Sequence, residues 1–137
     1  MGRDIAVQTL KRFFVTTEVE GYFVEKFGVD FAGVLLAGLA EDGGLYVPES
    51  WPQVTAEEIK SFAGRPYAEV ATELMARFTE PAISAKELAP LVAEAYRDFD
   101  HPAVAPLRQL DSGEWILELF HGPTLSFKDY ALQVVGR

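Results

Sequence analysis

The stretch Glu118-Leu-Phe-His-Gly-Pro-Thr-Leu-Ser-Phe-Lys128-Asp-Tyr-Ala-Leu132 sets a lysine just past a small-residue turn. It continues the largely apolar run that starts at Trp115, which reads as a buried strand over 115–120. His121-Gly122-Pro123 ends that run. Thr124 is a candidate N-cap for a helix over 125–135, which puts Lys128 in about its first turn. Strand, tight turn and helix start is a common site architecture of α/β proteins.

Towards the N-terminus, residues 107–110 read as a second strand, joined to the first by an Asp111-Ser112-Gly113 turn. Asp100-His101-Pro102 and Pro106 mark a boundary before it. Ser84-Ala-Lys-Glu87 is a capping box opening a helix to about residue 99, with Pro90 implying a kink or a late start. Pro66 opens a helix over 67–78, with Val70, Leu74 and Phe78 on one face. Thr55-Ala-Glu-Glu58 is another capping box. Asp30 caps a helix over 31–39, in which Gly33 and Gly38 allow close approach of neighbouring backbone. Asp42-Gly43-Gly44 stops that helix, and residues 45–48 are extended because Pro48 disfavours helix before it. Residues 1–29 pattern weakly, with a possible strand over 12–19.

The chain has 137 residues, enough for one domain or a small domain plus part of another. An apolar fraction of 49% supports a packed core. Twelve basic against 21 acidic residues give a net charge of −9, which argues against nucleic acid or an anionic membrane as partner. With no cysteine, disulfides, thiolate catalysis and cysteine-ligated metals are excluded. Two histidines are too few for a structural zinc site, so no metal is expected. The apolar run around 34–40 is too short to span a membrane, and the N-terminus does not read as a signal peptide; the expected compartment is the cytoplasm.

Lys128 is the candidate reactive group. A lysine amine is nucleophilic only when neutral, and burial or a helix N-terminus favours that form. Phe120, Phe127 and Tyr130 are the available apolar wall, while Asp129 would oppose the effect if it paired with the amine, a pairing left open because adjacent helical residues point in different directions. Taken alone, a lysine in this position is most simply a solvated surface residue. His121 reads as a turn residue or a backbone hydrogen-bond partner. Ser126 lacks the surroundings of a hydrolase nucleophile, and Gly43-Gly44 lacks the further glycine of a dinucleotide loop.

Two blocks go beyond this. Leu36-Ala-Gly-Leu-Ala-Glu-Asp-Gly-Gly-Leu-Tyr-Val-Pro-Glu49 closely resembles the N-terminal signature of threonine synthases. Leu119-Phe-His-Gly-Pro-Thr-Leu-Ser-Phe-Lys-Asp-Tyr-Ala-Leu132 resembles the pyridoxal phosphate lysine motif of the same family. The Ser-Phe-Lys-Asp core of the second occurs across enzymes of the type II pyridoxal phosphate fold; Tyr130-Ala131 follows it here, as in the longer threonine synthases. The likeness runs from about residue 30 to residue 137.

The resemblance implies an enzyme that converts O-phospho-L-homoserine and water to L-threonine and phosphate. Lys128 would hold pyridoxal 5'-phosphate through its amine and then act as general base and acid. The implied fold class is α/β: a helix-rich N-terminal domain with a small sheet over 1–100, then the start of the type II cofactor domain over 101–137. Residues 1–29 match the family poorly, since Thr16-Thr17-Glu18-Val19-Glu20-Gly21 stands where a Ser-Thr-Arg-Gly sequence is usual. The glycine-rich phosphate loop that such enzymes carry downstream of the lysine has no counterpart in these residues. The expectation is therefore an N-terminal portion of a longer enzyme, inactive alone and completed by the C-terminal remainder. The alternatives are a threonine-synthase-like phospholyase and a non-catalytic helical interaction module.

Overall fold

The computed structural model describes residues 30–40, 43–48 and 51–137. The expected strand over 12–19 lies outside them. The described residues fall in two compact units. One holds those up to Val54 with Arg77–Ile83, and the other holds Thr55–Ala76 with Ser84–Arg137.

In the first unit, helix α1 spans Phe31–Ala37, and the Gly33 N–H donates to Asp30 Oδ1 at 2.9 Å as an N-cap should. The helix stops earlier than expected. Gly38 takes φ 71°, so its function is to leave the helix through left-handed backbone. Among the described residues, a Cβ there would meet nothing within 4 Å. Gly43, at φ 81°, makes the expected turn, with the Ala40 N–H donating to Gly44 O at 2.9 Å. Also in this unit, Trp51 meets Phe78 edge-on at 6.0 Å and Arg77 donates to Gln53 O at 2.9 Å.

The second unit begins with helix α2, Ala56–Ser61, whose capping box is complete. The Thr55 N–H donates to Glu58 Oε2 at 2.7 Å, and the Glu58 N–H donates to Thr55 Oγ1 at 3.2 Å. Helix α3, Tyr67–Thr79, follows Pro66 as expected, and its residues up to Ala76 belong to this unit. Its Val70, Leu74 and Phe78 stripe is only partly covered; Thr72, Ala76 and Thr79 are the buried positions instead. Thr72 tolerates burial because its hydroxyl donates to Ala68 O at 2.7 Å. Helix α4, Ala85–Tyr96, starts at its capping box and runs through Pro90, so no late start is needed. The carbonyl that Pro90 leaves without a donor belongs to Lys86, which is exposed to water.

Helix α4 supplies most of the core. Leu88, Val92, Ala95 and Tyr96 are buried, followed by Phe99 and Val104. Aromatic rings continue the core by edge-on contacts from Tyr67 to Tyr96 (5.0 Å), Tyr96 to Phe99 (5.3 Å) and Phe99 to Tyr130 (5.0 Å). The last ring belongs to helix α5, Asp129–Val135, which packs against α4.

Strands β1, Leu107–Asp111, and β2, Glu114–Leu117, form an antiparallel ribbon with Leu107 opposite Leu117 and Gln109 opposite Trp115. β2 was expected to run to residue 120 and to be buried; both expectations are corrected. Beyond Leu117 the chain turns towards His121, keeping one more bond from the Glu118 N–H to Pro106 O at 3.0 Å. Trp115 is 55% exposed and Leu117 is 50% exposed. Apolar side chains stand on both sides of this ribbon, the pattern of a strand made to be covered on two faces. Among the described residues, only β1 and β2 form the sheet.

Candidate functional site

Lys128 sits at the end of a turn series, and the turn differs from the expected helix start. Leu125 has φ 61°, which an α-helix cannot contain, so the helix begins only at Asp129 with Lys128 as its N-cap. Thr124 therefore does not cap a helix. Its N–H and its Oγ1 both donate to Asp129 Oδ2, at 2.8 and 2.9 Å. Gln133 adds a donor to Asp129 Oδ1 at 3.4 Å.

Asp129 is the anchor of this turn. It is 3% exposed. Burial pushes its carboxyl up, but the bonds from Thr124 and Gln133 outweigh burial and hold it below the usual carboxylate value. Its acceptors are occupied by these donors, which resolves the open question of a pairing with the Lys128 amine against that pairing. Adjacent helical residues point apart, which is why neighbours in sequence do not pair here.

Lys128 itself is exposed, and among the described residues its amine has no hydrogen-bond or ion-pair partner. The anticipated apolar wall is not built around it. Phe120 and Phe127 are themselves exposed. Tyr130 turns into the core, where its hydroxyl donates to Val104 O at 2.7 Å and to Glu118 O at 3.4 Å.

The residues that follow β2 hold a cluster that the sequence reading did not assemble. His121 Nδ1 lies 2.6 Å from Asp100 Oδ1, and Nε2 lies 2.8 Å from Glu118 Oε2. The hydrogen bond to Glu118 raises the His121 pKa most; partial burial opposes it, and Asp100 raises it further. Only the imidazolium has an N–H for each carboxylate. The His101 ring stands 5.0 Å from the His121 ring, and Arg108 approaches Glu118 at 3.8 Å. The Asp100 N–H also donates to His121 O at 3.0 Å, so backbone and side chain hold the same pair of segments together. The Glu118–His121 half was legible as an i, i+3 spacing. The Asp100 half was not, because it depends on how the chain returns after helix α4.

The fold is that of the N-terminal part of threonine synthase structures. A threonine synthase from Brucella melitensis, solved with pyridoxal phosphate bound, superposes with a TM-score of 0.73 at 51% identity, covering 78% of this chain and 23% of that one. The family described as "Threonine synthase N terminus" matches residues 24–96. The chain belongs to the threonine synthase family. It is 56% identical over 109 residues to a threonine synthase from Pseudomonas aeruginosa, covering 80% of this chain and 23% of the relative's length. A human protein named threonine synthase-like 1 is 44% identical over 108 residues, covering 77% of this chain and 14% of that protein. Among the described residues, no helix is long and apolar enough to cross a membrane, and no group of acidic or histidine side chains is arranged to hold a metal.

Proposed function

We propose that this chain is the N-terminal portion of a threonine synthase that converts O-phospho-L-homoserine and water to L-threonine and phosphate, with Lys128 as the residue that holds pyridoxal 5'-phosphate. In that enzyme residues 1–100 form the N-terminal domain and residues 101–137 open the cofactor domain. The observation that carries the reading is the unengaged Lys128 amine on a turn locked by Asp129, in a chain of this family. An amine that is to bond an aldehyde carbon must be free to react, and the Lys128 amine is unengaged while the turn that carries its backbone is fixed by Asp129. The acidic, cysteine-free composition accords with a cytoplasmic enzyme.

Bound pyridoxal phosphate supplies the electron sink for carbanion chemistry. This chain supplies the amine and its support. Lys128 Nζ would hold the cofactor and, when released from it, would take and return protons as general base and acid. Asp129 keeps the preceding turn closed by accepting from Thr124. Tyr130 ties the start of helix α5 to the carbonyls of Val104 and Glu118. The phosphate grip, the water site and the substrate contacts belong to the longer enzyme, of which these residues match less than a quarter in the Pseudomonas relative.

The second reading from the sequence is a threonine-synthase-like enzyme that eliminates phosphate from a related phosphorylated amino alcohol. One assay separates the two. The longer enzyme carrying this sequence is loaded with pyridoxal phosphate and given O-phospho-L-homoserine. Equal amounts of threonine and phosphate support the first reading, and a keto product in place of threonine supports the second. Absence of phosphate release would sink both.

A further inference from the structure

We propose that His121, clamped between Asp100 and Glu118, is a positioning residue for Lys128. The inference rests on the reading of Lys128 as the cofactor lysine and adds a residue to it. Two routes connect the clamp to the lysine. Through the backbone, His121 precedes Gly122, and Gly122 lies so close to Asp129 that a Cβ there would be 2.5 Å from Asp129 Cβ. Any rotation of the chain at His121 therefore presses on the residue next to Lys128. Through side chains, Glu118 accepts from His121 Nε2 by its carboxylate, and its backbone carbonyl is the more distant acceptor, at 3.4 Å, of a Tyr130 hydroxyl that donates chiefly to Val104 O at 2.7 Å. Tyr130 lies two residues after Lys128. Both flanks of the lysine are thus tied to residues 118–124, and the His121 clamp fixes that segment to the chain after helix α4.

The clamp is complete only while the imidazole carries two protons. Asp100 and Glu118 face it directly. The His101 ring lies tilted beside it at 5.0 Å, Arg108 faces it through Glu118, and the Tyr130 hydroxyl reaches towards the Glu118 carbonyl from helix α5. Two carboxylates against one more distant arginine favour the protonated ring. When the pH rises past the His121 titration, one of the two bonds is lost and one carboxylate turns to solvent. Asp100 is the one released, being 68% exposed against 16% for Glu118. The turn before Lys128 then keeps only the backbone bond from the Asp100 N–H to His121 O as its link to the segment after α4.

The test uses the longer enzyme. In its cofactor-free form, proton–nitrogen NMR follows the His121 ring and the Thr124 amide as pH is raised. Both should titrate together, above the usual histidine value of about 6.5, and the Thr124 titration should vanish in His121→Gln. In the loaded enzyme, His121→Gln should lose at least about tenfold in kcat per cofactor bound while KM for the phosphorylated substrate changes less than about twofold, as expected for a displaced proton-transfer group. Its kcat profile should also lose the alkaline limb due to His121. Asp100→Asn, at an exposed position, keeps the histidine and removes one carboxylate, so that limb should move to lower pH. It decides the matter if His121→Gln does not fold. A Thr124 amide blind to His121, or an unmoved limb in Asp100→Asn, overturns the proposal. Retention of lysine-bound cofactor absorbance in Lys128→Ala is a different failure, that of the cofactor-lysine reading itself.

Discussion

Gly122 and Asp129 touch so closely that no side chain fits between them: a Cβ on Gly122 would lie 2.5 Å from Asp129 Cβ and 2.6 Å from Oδ2. This contact explains why glycine follows His121, since its φ is not among the positive values found at Gly38, Gly43 and Gly64. Gly122→Ala must displace the Asp129 carboxylate and weaken the bonds from Thr124. The expected cost is about 1–3 kcal/mol, typical of overpacking a tight site. Chemical denaturation should show that loss, and cofactor loading of the longer enzyme should fall with it.

Tyr130→Phe removes the hydroxyl that donates to Val104 O at 2.7 Å while keeping the ring on Phe99. The carbonyl of buried Val104 then has one donor fewer. A loss of about 1–1.5 kcal/mol follows for one neutral hydrogen bond, read as a lower denaturation midpoint with an unchanged slope.

The two ionisable anchors set opposite pH limits on stability. Asp129 has a lowered folded value, so its contribution is present above its ordinary 3.8 and is lost as pH falls through the folded value. His121 has a raised folded value, so its contribution is present below its ordinary 6.5 and is lost as pH rises through the folded value. Melting temperature against pH should therefore decline on both sides. Asp129→Asn should flatten the acid decline and leave the alkaline one; His121→Gln should do the reverse.

Val92 is 0% exposed at the centre of the α4 core. Val92→Ala removes two buried methyl groups and leaves a cavity, a loss of about 2 kcal/mol with little effect on the turn that carries Lys128. Thermal unfolding checks the first part. Unchanged Thr124 and Asp129 amide shifts check the second.

Local chemistry made the helices readable. Asp30, Thr55 and Ser84 each donate no more information than their own side chain and the residue three positions on, and each caps the helix it was expected to cap. The hairpin turn was readable for the same reason. What depended on distant chain was not. Burial of β2 was inferred from apolar content, but coverage of a strand comes from partners elsewhere. The helix start was expected four residues too early because Leu125, an unremarkable residue for a helix, adopts positive φ in the turn that Thr124 closes onto Asp129. Lys128 was identified by resemblance, and its free amine required the structure. The partnership of His121 with Asp100 needed the fold as well.

The central claim, that Lys128 is the residue that bonds the cofactor, is tested by reducing the pyridoxal-phosphate-loaded longer enzyme with borohydride and mapping the label by peptide mass spectrometry. The account predicts a pyridoxyl-phosphate mass on the peptide containing Lys128 and its loss in Lys128→Ala. Labelling at a different lysine, with Lys128 unmodified, would contradict it.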